Sequence, residues 1–262
     1  MTGATGSVGK LLRPLLRHSF DMRLTGRETI LDLAEGEEFM AGDLVDPAFA
    51  QKTVEGMDGV IHLAGLVAPS VTFTQTLGPN YQAVLNLLEA CRQQKVGRFV
   101  FASSHHIIGM LPADRPWDGD APVAPDSFYG LSKAFGEAAC AMYARRFGIQ
   151  TLVVRIGNAD PEIVDGRRER IWTSGRDLAD LVTLGLTHPE LDYAVVNGVS
   201  RCDDALLGFE TAAPFGYEPK DSSAGNRASH FRSRETLTAQ DGAAYVGGFF
   251  AVNELPNPMV PK

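Results

Sequence analysis

Hydrophobic and polar positions along the chain predict short strands that alternate with helices. Short apolar runs predict strands at residues 22–25, 39–43, 59–65, 98–104, 151–156 and 193–197. Apolar residues at helical spacing predict helices directly after Gly9 and at residues 48–54, 80–94, 127–147 and 172–188. Residues 67–78 and 109–127 are expected to form irregular loops. The alternation of strand and helix predicts an α/β fold with a parallel sheet.

A glycine-rich turn precedes the first helix and repeats glycine at every third position. Backbone N–H groups in such a turn, together with the positive end of the helix dipole, can hold a pyrophosphate. The turn therefore predicts a dinucleotide site formed by Gly3, Gly6, Ser7, Val8 and Gly9. The alternative is that the three glycines form only a flexible turn.

The strand that should lead into this turn is truncated, because only Met1 and Thr2 precede Gly3. In a doubly wound sheet that strand is the central one, and its loss leaves neighbouring backbone groups unpaired. We expect that the true start lies upstream of Met1 and adds roughly five apolar residues, or that another segment fills the slot.

Composition and charge narrow the function. The chain has 262 residues, 44% of them hydrophobic, a net charge of −8 and a pI near 5.3. The negative charge argues against nucleic acid or an anionic membrane as a partner, and no apolar run is long enough to span a membrane. No signal peptide is visible, and the three scattered cysteines fit no metal site, so we expect reduced thiols and a cytoplasmic location: Cys91, Cys140 and Cys202.

Three residues predict proton-transfer chemistry. Tyr129 and Lys133 lie four positions apart on a predicted helix, so their side chains point the same way. The Lys133 ammonium is expected to lower the pKa of the Tyr129 phenol, which then accepts a hydroxyl proton while hydride leaves the same carbon. Ser104 ends the preceding strand and can hydrogen-bond the reacting oxygen. These three are the predicted catalytic residues.

Other strand ends predict the remaining contacts to a dinucleotide. The strand at residues 22–25 ends in Gly26-Arg27, where an acidic residue would select NAD, so Arg27 favours the 2′-phosphate of NADP. Glu28 could instead reach the ribose, and Arg27 could be only a solvated arginine. The other predicted cofactor contacts are Asp43, Leu44, Leu63, Ala64, Gly65, Tyr129, Lys133 and Ile156.

Taken together, these residues resemble the extended short-chain dehydrogenase/reductase family, also called the NAD-dependent epimerase/dehydratase family, along nearly the whole chain. Within it they look most like uronate dehydrogenases. The segments that carry the resemblance are residues 101–109, 126–137, 154–158, 167–168, 172–174, 221–223 and 247–251.

The resemblance implies a Rossmann-like doubly wound sheet, with a dinucleotide domain at residues 1–157 and substrate-binding elements at residues 158–262. It implies oxidation of the anomeric carbon of galacturonate or glucuronate to an aldarolactone, with NAD or NADP as cofactor. The implied substrate contacts are Ser70, Ser104, His105, His106, Tyr129, Asn158 and Arg167. His105 and Asn158 stand where the group carries asparagine and serine, and Arg167 matches its carboxylate-binding arginine.

Two other functions stay open. An epimerase, dehydratase or reductase acting on another sugar or a nucleotide sugar would usually have a larger C-terminal portion than this chain has. A regulator that senses the dinucleotide ratio would lack an intact Tyr-x-x-x-Lys pair, which is present here. The histidines could also pack without touching a substrate. The identity of the sugar and whether the chain forms a homo-oligomer are not determined by the sequence.

Overall fold

A computed structural model describes residues 1–258. The strands are β1 (Met22–Gly26), β2 (Glu37–Ala41), β3 (Gly59–His62), β4 (Arg98–Ser104), β5 (Gln150–Ile156), β6 (Ile163–Asp165), β7 (Tyr193–Gly198) and β8 (Arg227–Arg232). The α-helices are α1 (Ser7–Leu16), α2 (Pro47–Val54), α3 (Phe73–Thr76), α4 (Ala83–Gln94), α5 (Phe128–Phe147), α6 (Gly166–Glu169), α7 (Gly175–Thr187) and α8 (Phe249–Val252). Short 3₁₀ turns lie at His105–Ile108, Glu210–Phe215, Arg234–Thr236 and Ala239–Asp241.

The main sheet is parallel and doubly wound, which confirms the predicted fold class. β2 pairs with β1 on one side, and β3, β4, β5 and β7 follow in that order on the other. Thr2 joins the two parts, because it pairs in parallel with Thr25 and with His62. The strand order therefore reverses beside the glycine turn, which is the position where doubly wound sheets open a crevice for ligands.

Residues 1 and 2 occupy the central slot of the sheet. The Thr2 N–H donates to the Ile61 carbonyl at 2.9 Å, and the Met1 carbonyl accepts from the Thr25 N–H at 2.9 Å. The buried amino group of Met1 donates to the Arg23 carbonyl at 2.6 Å, and burial lowers the pKa of this amine to about 5. A cavity of about 480 Å³ lies between the starts of β1 and β3, beside Met1. An upstream strand stays a prediction.

Helices cover both faces of the sheet. On one face, α1 and α7 bury Leu12, Leu16 and Leu178 against Val100 and Leu152 of the sheet. On the other face, α2, α4 and α5 bury a second apolar cluster against Phe99 and Phe101. Because parallel strands are buried on both faces, the near-continuous apolar runs of β4 and β5 follow from this arrangement.

The loop predicted at residues 67–78 was wrong in its second half, where α3 and a π-helical segment (Leu77–Gln82) precede α4. Thr72 and Gln75 form a capping box that begins α3. Pro79 lacks an N–H and cannot continue a regular α-helical ladder, which accounts for the wider π turn at this point. The predicted start of the helix at residue 172 was also too early, because Ser174 caps α7.

A third apolar cluster lies beyond the carboxyl ends of the strands. It joins the segment after β4 to later parts of the chain, through Ile107, Ile108, Trp117, Ile171, Leu206 and Val246. A small parallel sheet of β6 and β8, which the sequence pattern did not predict, lies in the later part. Among residues 1–258, no helix is both long and apolar enough to cross a membrane.

A buried ion pair connects the sheet to the helix that carries Tyr129. The Arg155 guanidinium on β5 donates to both carboxylate oxygens of Glu137 on α5, at 3.0 and 2.9 Å. Glu137 also accepts from the Ser103 hydroxyl at 2.6 Å, and Arg155 donates to the Gly119 carbonyl at 3.2 Å. The pair therefore fixes β4, β5, α5 and the long loop relative to one another.

Replacing Arg155 with methionine should lower the free energy of unfolding by about 3–5 kcal/mol, because the Glu137 carboxylate would stay buried without its partner. Arg227→Met is the matched control, since Arg227 pairs with Glu169 at the surface and its loss should change stability little. Chemical unfolding of both variants measures the difference. Equal effects would contradict the assigned importance of the buried pair.

Candidate active site

Two adjoining cavities open at the carboxyl edge of the main sheet, where its strand order reverses. The first has a volume of about 290 Å³ and lies beside the ends of β1 and β2 and the residues that follow β3. Eight predicted cofactor contacts line it: Gly3, Gly6, Arg27, Asp43, Leu44, Leu63, Ala64 and Gly65. The second has a volume of about 400 Å³ and extends from the glycine turn toward α5 and α6.

The glycine turn leaves room where side chains would collide. Gly3 has a φ of +67°, and a Cβ there would lie 2.7 Å from the Ala64 backbone nitrogen. A Cβ at Gly9 would lie 2.7 Å from the Ala4 carbonyl oxygen. The N-terminus of α1 therefore approaches the end of β3 closely, and Gly6 caps it without a side-chain hydrogen bond. This open helix N-terminus fits the pyrophosphate of a dinucleotide.

The second cavity brings together most of the predicted chemistry. It is lined by Ser7, Val8, Gly9, Ser104, His105, His106, Tyr129, Lys133, Ile156, Asn158 and Arg167. Ser70 is exposed and stands apart from the residues that line either cavity in the described part of the chain. The structure therefore places all but one of the predicted site residues along one continuous cleft.

The Tyr129 hydroxyl lies beside Ser104 but is not activated as the sequence predicted. Burial raises the pKa of Tyr129 to about 12, and a hydrogen bond with Ser104 acts in the opposite direction. The Lys133 ammonium donates to the Ala102 carbonyl at 2.7 Å and lies 5.7 Å from the centre of the Tyr129 ring. The expected lowering of the tyrosine pKa was therefore wrong, because burial raises the pKa by more than the Ser104 hydrogen bond lowers it.

Lys133 is itself affected by burial, which lowers the pKa of its ammonium to about 8. Its Nζ atom also lies 5.0 Å from the centre of the Phe101 ring. The backbone of β4 therefore fixes Lys133 in the wall of the second cavity. From there its ammonium can reach a polar group of a bound cofactor.

Two polar atoms in the second cavity are buried without a hydrogen-bond partner among the described residues: Nε2 of His105 and Nδ2 of Asn158. The Ile156 carbonyl lies 3.1 Å from His105 Nδ1, so Nδ1 carries the proton and Nε2 offers a lone pair. Asn158 offers an amide donor. Buried polar groups are nearly always paired, so an acceptor and a donor left open in one cavity fit a polar ligand.

Arg167 presents a positive charge to the same cavity. Its Nη1 donates to the Val246 carbonyl at 2.8 Å, and no carboxylate forms a salt bridge with it in residues 1–258. Burial lowers the pKa of Arg167 to about 10, which leaves the guanidinium charged at neutral pH. Arg168, the next residue, differs because it pairs with Asp165. Arg167 is therefore the arginine free to bind an anion here.

Sequence reasoning assigned no role to two residues that shape this cavity. Phe250 of α8 stacks on the His106 ring, with the ring centres 4.0 Å apart. Asp126 accepts a hydrogen bond from Nδ1 of His106 at 2.6 Å. Both residues lie in segments noted for their resemblance, but their contacts join parts of the chain that are 144 and 20 positions apart and follow no local spacing.

Known proteins resemble the chain over nearly its whole length. A family model described as the NAD dependent epimerase/dehydratase family matches residues 1–160. A uronate dehydrogenase from Pseudomonas putida is 38% identical over 254 residues, which cover 96% of this chain and 94% of the relative.

Solved structures give the same picture. A glucuronic acid dehydrogenase from Chromohalobacter salexigens is 33% identical with a TM-score of 0.89, covering 97% of this chain and 96% of that one. A variant of the Agrobacterium tumefaciens uronate dehydrogenase in complex with NAD is 32% identical with a TM-score of 0.89 and the same coverage. The similarity therefore extends over nearly the whole fold, the C-terminal segment included.

Proposed function

The chain belongs to the NAD-dependent epimerase/dehydratase family, and we propose that it is a dehydrogenase that oxidises free uronates at the anomeric carbon. One observation carries the proposal: the Ser104, Tyr129 and Lys133 side chains line one cavity with the Arg167 guanidinium, which forms no salt bridge within residues 1–258. That cavity adjoins a glycine cradle suited to a dinucleotide. The uronate dehydrogenase from Pseudomonas putida, matched over nearly its full length, supports the same reaction.

In this reaction the hydrogen on the anomeric carbon leaves as a hydride, with the electron pair of the C–H bond. The hydroxyl group on the same carbon loses its proton, and a lactone carbonyl forms. A nicotinamide dinucleotide held at the glycine turn by Gly3, Gly6 and Gly9 would supply the hydride acceptor. The proton passes to the Tyr129 oxygen, and the Ser104 hydroxyl holds the reacting oxygen beside it. Lys133 lines the same cavity, where its ammonium would hold the nicotinamide ribose.

Substrate recognition follows from the polar atoms of the second cavity. The Arg167 fork offers donors to the uronate carboxylate. Nε2 of His105 accepts from a sugar hydroxyl, and Nδ2 of Asn158 donates to another sugar oxygen. We assign dinucleotide binding to residues 1–157 and the elements that complete the substrate side, Asn158 and Arg167 among them, to residues 158–262.

The cofactor is a nicotinamide dinucleotide, and we infer that NADP is accepted at least as well as NAD. Arg27 and Gly26 line the first cavity at the tip of β1, where a carboxylate would repel a 2′-phosphate. Glu28 instead lines a separate surface cavity beside Lys10 and Arg13. Glu28 is therefore poorly placed to bind the adenosine ribose in place of Arg27.

The protein should reduce NAD or NADP when supplied with galacturonate or glucuronate, as followed by nicotinamide absorbance. Tyr129→Phe removes only the proton acceptor, so kcat should fall by about 10²- to 10⁴-fold while the dissociation constant of the cofactor is kept. Tyr143→Phe, on the same helix but outside the cleft, is the control. Cofactor binding without turnover of any sugar acid would contradict the proposed function.

Arg167→Ala should raise KM for a uronate roughly tenfold to a hundredfold, because a charge-assisted hydrogen bond contributes about 1.5–3 kcal/mol. The corresponding neutral aldose should be a poor substrate for the native protein and should be little affected by the change. Arg201→Ala, which alters an arginine away from the cleft, serves as the control. If the native protein used glucose as well as glucuronate, the carboxylate role would be refuted.

Arg27→Ala should weaken NADP binding about tenfold and leave NAD binding unchanged, because only the 2′-phosphate gains from the guanidinium. Titration of both cofactors by fluorescence measures the two dissociation constants. Arg146→Ala removes an exposed arginine at the end of α5 and controls for net charge. A clear preference of the native protein for NAD would overturn the inference.

A further inference from the structure

The His106 imidazole is enclosed by rings on several sides within the second cavity. Phe250 stacks on one face with the ring centres 4.0 Å apart, and the His105 ring lies 4.1 Å away. The Tyr129 ring approaches edge-on, with centres 5.6 Å apart. These contacts fix the plane of the imidazole, so one nitrogen must face the Asp126 carboxylate and the other the cavity.

Asp126 reaches His106 through two hydrogen bonds. Its Oδ2 accepts from Nδ1 of His106 at 2.6 Å, and its backbone N–H donates to the His106 carbonyl at 3.3 Å. The other carboxylate oxygen, Oδ1, accepts from the Ser127 hydroxyl at 2.7 Å. The carboxylate is buried, so its orientation is set by these partners rather than by water.

Three glycines from three segments make room for this pair. A Cβ at Gly109 or at Gly247 would collide with the Asp126 carboxylate, and a Cβ at Gly130 would collide with the His106 carbonyl. The Gly247 N–H donates to the Gly109 carbonyl at 2.9 Å, which closes the space around the carboxylate. The pair therefore occupies a compartment that tolerates no side chain at these positions.

We propose that Asp126 is a positioning residue that holds the proton of neutral His106 on Nδ1, so that Nε2 presents a lone pair to a substrate hydroxyl. Burial and the charges of Arg167 and Arg168 lower the pKa of His106 to about 3, which keeps the ring neutral at neutral pH. In a neutral imidazole, a proton fixed on one nitrogen makes the other an acceptor. The role of Nε2 toward a substrate hydroxyl rests on the proposed function.

This arrangement gives the cavity a hydrogen-bond acceptor close to donors. Arg167 can only donate, whereas Nε2 of His106 can only accept while Asp126 holds the single ring proton on Nδ1. A sugar acid offers both complements, a carboxylate for the guanidinium and a hydroxyl for the imidazole. A proton on Nε2 instead of Nδ1 would place a donor where an acceptor is needed. Loss of the carboxylate that orients the catalytic histidine has the same effect in serine proteases.

Histidine side-chain spectra test the proton position without any substrate. Long-range ¹H–¹⁵N correlation spectra at pH 7 should give His106 a protonated Nδ1 and an unprotonated Nε2, assigned by the signals lost in His106→Gln. In Asp126→Asn, the Ser127 hydroxyl should keep donating to an oxygen at the former Oδ1 position, which directs the NH₂ group of the new amide toward Nδ1 of His106. Since an NH₂ group donates, the His106 proton should move to Nε2. A protonated Nε2 in the native protein, or an unchanged pattern in Asp126→Asn, would overturn the proposal.

Kinetics test whether Asp126 acts through His106. Asp126→Asn should raise KM for the uronate about tenfold, as the loss of one hydrogen bond allows, and keep the dissociation constant of the cofactor. In a protein that already carries His106→Gln, adding Asp126→Asn should raise KM for the uronate by less than about twofold. Asp120→Asn, exposed on the same loop, is the control. Fully additive effects would overturn the proposal.

The two experiments separate the failure of this proposal from failure of the proposed function. If no sugar acid is oxidised, the proposed function fails, and the spectra still decide where the His106 proton lies. If uronates are oxidised and the His106 proton lies on Nε2, the function stands and the role of Asp126 is refuted. Thermal melting of each variant identifies a loss of fold, in which case the native spectrum alone decides.

Discussion

Thr2 lies between the two diverging halves of the sheet, and its backbone pairs with both. Its hydroxyl lies 2.8 Å from Nδ1 of His62 and accepts from the Ala64 N–H at 3.3 Å. These contacts set the point from which the glycine turn departs and the distance between Gly3 and the end of β3. Since both cavities open around this point, the position of one short backbone segment determines where a dinucleotide and a sugar can meet.

The sequence was informative wherever chemistry follows local spacing. The glycine turn, the pair formed by Tyr129 and Lys133, and Ser104 at the end of a strand were predicted because period and strand ends determine where those side chains point. The alternating pattern likewise predicted the parallel sheet. The family resemblance added Arg167, whose place beside the catalytic residues no periodicity in this chain indicates.

What the sequence missed depends on burial and on contacts between distant segments. The pKa of Tyr129 moved opposite to the expected direction because the degree of burial is a property of the folded cleft. Asp126 and Phe250 gained their importance from packing around His106 rather than from any spacing. Ser70 was placed near the sugar by resemblance alone, and it is exposed and does not line either cavity of the cleft.

The two halves of the cleft depend on different parts of the chain, the first on backbone and the second on side chains. The dinucleotide half depends on backbone geometry at Gly3 and Gly9, where any side chain would collide with neighbouring main chain. The substrate half depends on side chains carried by loops and by short helices such as α6 and α8. Substitutions that change sugar preference can therefore fall on side chains of the second half, whereas Gly3 and Gly9 of the first half leave no room for a side chain. Such a division lets the sugar contacts change while the backbone that holds the dinucleotide is kept.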